Sequence, residues 1–361
     1  MTPGLAARFG TAAPARAIAA SCVLAVSCAH ALPARATPVS EVARARWLMG
    51  TLFTASAPAA GPAGTAAVGA ALDAALDTVA ALEGRLSNWS PTSELARFNA
   101  RSGGNDLSEP LGAVLDSAFR YAALTRGAFD PTLGTLIDAW DLRGRGRVPS
   151  PPELRLALGR SGWRRVERSA GYALGESRLD LGGIAKGFAL DRAAAVLRAR
   201  GVTDAALDAG GQWLHAAGAD APPCTVWVAE PSHRDRPAVR LALGAGSLST
   251  SGQSEHFFQS GGHRYGHVLD PASGRPLATR ASASVVARSG TGADALSTAL
   301  LVLGHDGARA FAAAHPEIGV LWLEPDGRRV RAEAWNLDGA VAAPSVTLTR
   351  DSPRPSPARN P

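Results

Sequence analysis

Apolar residues recur at helical spacing through residues 64–86, where Ala, Leu and Val alternate in threes and fours with Asp73, Asp77 and Glu83. That periodicity predicts an amphipathic helix. The same pattern predicts helices over 110–126, 185–200 and 292–303, and a shorter one over 305–314. Between them lie short apolar or alternating runs that read as strands: 47–56, 178–181, 205–208, 225–228, 247–251, 282–287 and 319–323. Gly-Pro, Asp-Gly and Ser-Gly pairs punctuate the turns. Helices and strands mix without the regular alternation of a doubly wound sheet, so the expected fold class is α+β, as a single mixed domain over 39–337. Pro, Ser and Arg accumulate after Leu337, and the tail over 338–361 is expected to be disordered.

The N-terminus changes the picture of where this domain works. Arg8 and Arg16 precede an apolar stretch over 17–28, and small-residue patterns follow at Ala29-His30-Ala31 and Ala34-Arg35-Ala36. This order predicts a signal peptide over 1–36 and an exported protein, periplasmic or on the outer face of the inner membrane. The stretch is short for a membrane span. Cys28 follows Ala25-Val26-Ser27, a poor lipoprotein box, so a lipid anchor and an uncleaved anchor stand as alternatives. Once the segment is removed Cys224 is alone, and no disulfide framework is available. The net charge of +6 then becomes milder, and the arginines are scattered without interleaved aromatics, which excludes a nucleic-acid footprint.

Lysine and arginine total 37, and every one but Lys186 is arginine. On a solvated surface the two are nearly interchangeable. Where a compact ammonium on a flexible stem is needed they are not. Lys186 is flanked by glycines in Asp180-Leu-Gly-Gly-Ile-Ala-Lys-Gly187, at the predicted start of a helix. A helix start offers free N–H groups and a positive dipole end, which suit a phosphate. The spacing is neither a Walker P-loop nor GxGxxG. A chance survivor on a helix surface is the plain alternative.

Other segments are polar and glycine-rich in a specific order. They are Leu48-Met-Gly-Thr51, 85–99 around Trp89, Gly127-Ala-Phe-Asp-Pro-Thr132, the lysine segment closed by Asp208-Ala-Gly-Gly211, and a last group. That group comprises Ser249-Thr-Ser-Gly252, Tyr265-Gly-His-Val-Leu-Asp-Pro271 and Gly292-Ala-Asp-Ala-Leu-Ser-Thr298. Asp294 and Thr298 are four apart on a predicted helix and share a face, a carboxylate and a hydroxyl suited to Mg²⁺. A capping aspartate and a core-facing threonine would give the same spacing. His267 is followed three residues later by Asp270, which could orient its ring, and histidine is a natural base for a hydroxyl near neutral pH.

In this order the segments resemble the ApbE-like flavin transferases, the FAD:protein FMN transferase family, over roughly 47–323. The resemblance implies an exported, Mg²⁺-dependent enzyme. Such an enzyme cleaves FAD and transfers FMN to a threonine, sometimes a serine, of an acceptor protein through a phosphodiester, releasing AMP. It implies His267 as catalytic base and Lys186 as a phosphate partner. Asp294, Thr298, Ser297 and the carbonyl of Ala185 would form the metal site. Met49, Trp89, Ala128, Phe129, Asp130, Gly182, Phe188 and Val268 would line the flavin. The acceptor implied is a membrane-bound redox subunit. Two departures stand out: Gly210-Gly-Gln-Trp213 where relatives commonly read Gly-Gly-Asp, and Thr250-Ser-Gly-Gln-Ser254 where they read Thr-Ser-Gly-Asp-Tyr. Two other readings fit the same residues, an FAD pyrophosphatase giving FMN and AMP and a non-catalytic FAD-binding protein.

Overall fold

The computed structural model describes residues 40–59, 61–218 and 221–350. The segment 1–36, expected to be a signal peptide, lies outside them. Strands β1 (Ser40–Leu48) and β2 (Thr51–Ala59) pair with Leu48 opposite Thr51. The connection is therefore the two residues Met49-Gly50, with φ of 49° and 77°. Positive φ at both positions marks the tight hairpin turn whose twist matches its strands. The single strand expected over 47–56 is thus two strands and a turn, and the reason is Gly50.

Helix α1 (Gly61–Leu86) follows, with Leu72, Leu76, Val79, Leu82 and Leu86 buried on one face. Ser93 caps α2 (Glu94–Ala100), its hydroxyl accepting from the Ala96 N–H at 2.9 Å. Then come β3 (Gly103–Gly104), α3 (Glu109–Leu124), α4 (Gly134–Ala139) and α5 (Pro151–Gly159), the last opened by a Ser150/Glu153 capping box. Strand β4 (Tyr172–Ala173) pairs with β3. Residues 178–181, expected as a strand, make only one bridge, from Arg178 to Leu133, and otherwise form a loop into α6 (Ala185–Ala199).

The second half holds β5 (Asp204–Ala209), β6 (Trp213–Ala217), β7 (Cys224–Glu230), β8 (His233–Leu243) and β9 (Gly246–Gly252). Two small hairpins follow, β10 (Phe257–Ser260) with β11 (His263–Gly266) and β12 (Leu269–Asp270) with β13 (Arg275–Pro276). Strand β14 (Ser282–Ala287) leads into α7 (Gly290–Ala314), which breaks at Gly304, φ 73°, between the two helices expected there. Strands β15 (Gly319–Asp326), β16 (Arg329–Trp335), β17 (Val341–Ala342) and β18 (Val346–Arg350) end the described chain.

Nine strands form one sheet in the order β1-β2-β5-β6-β9-β14-β15-β16-β18, antiparallel throughout except β16 with β18. Helices α1, α6 and α7 pack side by side against it. The three-stranded sheet β17-β8-β7 packs against the far half. Strand β15 shows the sandwich in its alternation. Val320 and Trp322 face the α7 core, while Leu321 and Leu323 join the core of the small sheet. The fold is mixed α+β, as the pattern of elements implied.

Two details position the site. Helices α6 and α7 cross where Gly187 meets Gly290, so closely that a Cβ on Gly187 would sit 2.0 Å from the Gly290 carbonyl oxygen. Asp191 fastens that crossing. Its carboxylate accepts from the N–H groups of Gly290 (2.7 Å) and Thr291 (2.9 Å) and from the Thr291 hydroxyl (2.5 Å). The segment 338–350, expected to be disordered, instead supplies β17 and β18, because Ala340 and Val346 have an apolar face to fill. Residues 351–361 lie outside the described residues. A chain ending at Leu337 should lose at least about 2 kcal/mol of unfolding free energy, the value of one buried aliphatic side chain. Urea denaturation checks this, and an unchanged midpoint would show that β18 adds nothing.

Candidate active site

The lysine segment enters α6 through a turn built for close approach. Asp180 accepts from the Gly182 N–H (2.8 Å) and from Arg143 (2.5 Å). A Cβ on Gly183 would crowd Thr298 Oγ1 at 3.1 Å and the Phe129 ring at 3.3 Å. The chain at Gly183 therefore lies against both, and only a bare Cα fits without displacement. Gly182 is exposed, Ala185 is buried at the first helical residue, and Lys186 is half-buried. No side-chain hydrogen bond or ion pair involves Lys186 among the described residues, yet its charge acts on both Asp294 and His267.

Asp294 is buried on α7 and accepts from the Gly187 N–H at 3.0 Å. Burial pushes its carboxyl up, while the Lys186 charge, the Gly187 N–H and the Gln212 amide pull the other way. Gln212 is buried beside it, and neither its nitrogen nor its oxygen has a well-formed hydrogen bond. Thr298, one turn further on α7, is 3.1 Å from the Ser251 hydroxyl. Ser297 is fully buried and ties α7 to β9, 2.9 Å from Ser251 and 3.3 Å from Ser249, while donating to the Asp294 carbonyl at 2.9 Å. Its hydroxyl is a strut between helix and sheet.

His267 sits on the loop between β11 and β12, with its Nδ1 3.3 Å from the His256 carbonyl and its ring edge-on to His256. A carbonyl can only accept, so Nδ1 carries the proton and Nε2 the free lone pair. Burial pushes the imidazole down to about 4. Glu255 opposes this, His256 and Lys186 reinforce it, and the bond to the His256 carbonyl opposes it. The ring is neutral at pH 7. Asp270 does not orient it, because that carboxylate accepts from the Ala272 N–H at 2.9 Å within its own turn.

The flavin candidates divide. Met49 holds a left-handed conformation rare for a side chain its size, fixed by its N–H to Glu83 at 2.8 Å. The turn that carries it abuts the site, since a Cβ on Gly210 would strike Thr51 Oγ1 at 2.1 Å. Phe129 and Ala128 are buried beside Gly183 and in the main core. Asp130 spends its carboxylate on the Thr132 N–H (2.8 Å), the Thr132 hydroxyl (2.6 Å) and the Trp163 N–H (3.0 Å), and burial raises it. Its observed work is to hold the loop. Phe188 is core, with Arg192 over its ring, and Val268 is core beside the base loop. Trp89 stands apart, 71% exposed on the loop after α1.

Several residues of the site escaped the sequence reading. Ser251 was legible only as part of a Ser/Thr run. Glu255, which acts on both His267 and Asp294, gave no local signal, and Gln212 stood out only as a departure from the family pattern. Asp208 had one, the Asp-Ala-Gly-Gly turn. It accepts from the Gly211 N–H at 2.7 Å, and burial raises it to about 6.

The donors around Asp294 suit Mg²⁺. A buried carboxylate with one well-formed hydrogen bond, the Thr298 hydroxyl and the amide oxygen of Gln212 are hard oxygen groups. Among the described residues no three His, Cys, Asp or Glu side chains cluster, and Mg²⁺ needs no such cage because it keeps waters and shares substrate oxygens.

Titration of the imidazole carbons by NMR should place His267 near 4 rather than 6.5. Lys186→Ala should raise that midpoint, because a positive neighbour disfavours imidazolium. A midpoint at 6.5 in both proteins would show a solvated ring outside the Lys186 field.

A sequence model described as the ApbE family matches residues 49–322. A protein from Treponema pallidum called FAD:protein FMN transferase is 34% identical over 270 residues, 68% of this chain and 74% of that one. One of the same name from Vibrio cholerae is 31% identical over 255 residues, 66% and 75% of the two chains. Among solved structures, the flavin transferase ApbE of Vibrio cholerae superposes with a TM-score of 0.70 at 27% identity, over 82% of this chain and 98% of that one. The ApbE protein of Thermotoga maritima gives 0.70 at 28% identity, over 78% and 94%. The extent of these matches shows that the chain belongs to the ApbE family and is an enzyme of the FAD:protein FMN transferase class.

Proposed function

We propose that the protein transfers FMN from FAD to a threonine, or serine, hydroxyl of an acceptor protein, releases AMP, and requires Mg²⁺. One observation carries this reading. Lys186, Asp294 and His267 come from three distant segments, and the lysine charge reaches both of the others. A cation for phosphate, an anion for metal and a neutral base in one place are the parts that phosphoryl transfer to a hydroxyl needs.

The acceptor oxygen forms a bond to the phosphorus on the riboflavin side of the pyrophosphate. The bond from that phosphorus to the bridging oxygen breaks, and AMP leaves with the electron pair. The hydroxyl proton passes to His267 at Nε2, the nitrogen left free by the Nδ1 contact with His256. A base held neutral is ready at pH 7 without prior deprotonation. Lys186 offsets phosphate charge, and the bare backbone at Gly182-Gly183 lets the pyrophosphate come close. Asp294, Thr298 and the Ala185 carbonyl are the groups that would hold Mg²⁺, whose charge polarises the pyrophosphate when bound. The apolar N-terminal stretch supports an exported enzyme, and an exported flavin transferase is suited to a membrane-bound redox subunit as acceptor.

Incubation with FAD, Mg²⁺ and a threonine-bearing acceptor tests the reading. Flavin on the acceptor supports it, whereas free FMN alone marks a hydrolase and unchanged FAD a binding protein. Asp294→Ala should abolish transfer at ordinary Mg²⁺ with the fold intact, and a rate near the parent's would remove Asp294 from the metal site. Lys186→Arg should impair transfer although the charge is kept, because the planar group misfits a glycine-lined turn. Parental kinetics in that variant would make Lys186 a compositional accident. His267→Ala should keep FAD affinity while single-turnover transfer falls by about 10² to 10⁴, the usual worth of a general base. A loss of affinity with a normal rate at saturation would take His267 out of the mechanism.

A further inference from the structure

The surroundings of Gln253 account for an amide at this position. It follows β9 directly, two residues after Ser251, and is buried. Its Nε2 donates to the Val268 carbonyl at 2.8 Å and the Leu277 carbonyl at 3.2 Å, and its Oε1 accepts from the Val268 N–H at 3.0 Å. Its own carbonyl accepts from Arg264 at 3.0 Å. The loop lies flat on this amide, for a Cβ on Gly266 would meet Gln253 Oε1 at 2.0 Å. Gln253 therefore grips the backbone on either side of His267. The strand it follows carries Ser251, which touches Ser297 and Thr298.

We propose that Gln253 is a positioning residue that fixes the His267 imidazole relative to the Lys186 and Asp294 floor. The inference rests on His267 being the base. The side chain must donate twice and accept once. A carboxylate of the same size has no proton to donate, and it would place a lone pair against each of two carbonyls. The amide also links the base loop to the strand that contacts Thr298, so any slack there separates the base from the phosphate.

Gln253→Glu and Gln253→Met, of similar volume, separate this from a packing role. Both should cut single-turnover transfer at pH 8 by about 10- to 100-fold, the cost of a catalytic group misplaced by about 1 Å. FAD affinity should stay within about twofold, since the Val268 side chain is kept and Asp294 and Thr298 make no hydrogen bond to Gln253. The pH profiles should then diverge. Burial raises a carboxyl's pKa, and its protonated form can donate one bond and accept another. The Glu variant should regain activity as pH falls, and the Met variant should not. In a His267→Ala background Gln253→Glu should cost nothing further, because the two changes remove one contribution. Losses that add, or weaker FAD binding in place of a slower rate, would overturn the proposal. If His267→Ala alone leaves transfer intact, the base assignment fails before Gln253 is tested. If His267→Ala is slow while both Gln253 variants keep the parental rate and FAD affinity, the positioning role fails alone.

Discussion

The crossing of α6 over α7 is the constraint on which the site depends. Two glycines, Gly187 and Gly290, let the helices approach to backbone contact, and any Cβ at 187 would collide with a carbonyl oxygen. The close approach brings the Gly187 N–H within hydrogen-bond reach of the Asp294 carboxylate. It also lays the Gly182-Gly183 turn against Thr298. Asp191 saturates the first N–H groups of α7 and so holds the second helix in register with the first. With the helices farther apart, the lysine segment and the aspartate segment would be separate surface features.

Burial then gives these groups their chemistry. Burial raises the Asp294 carboxyl, and the Lys186 charge, the Gly187 N–H and the Gln212 amide offset it only in part. A group in that state gains most from a hard cation. The opposite consequence appears at His267, where desolvation, with the Lys186 charge and against that of Glu255, lowers the imidazole. One lysine thus favours the ionised carboxylate and disfavours the imidazolium.

The resting structure uses some candidates differently from what the family resemblance implies. Asp130, Ser297 and Phe188 hold loop, helix and core in place, with their polar atoms or rings already committed.

The linear order of residues determined the helices with strong periodicity, the strand 282–287, the break at Gly304 and the glycine-bounded segments that carry the chemistry. These are legible because their signals are local: a period, a turn residue, a cap. The hairpin turn at Met49-Gly50 and the short helices α2, α4 and α5 were not read, since a few residues carry too little periodicity to be distinguished from a loop. Strand β18 was hidden for another reason. A Pro- and Ser-rich tail forms a strand only because β16 presents an unpaired edge and the small sheet leaves an apolar face. The site divides in the same way. Lys186, Asp294, Thr298 and His267 were visible as motifs, whereas Gln212, Glu255 and the Gln253 clamp act across long separations along the chain. Their roles exist only as distances and shared burial, and tertiary packing alone creates both.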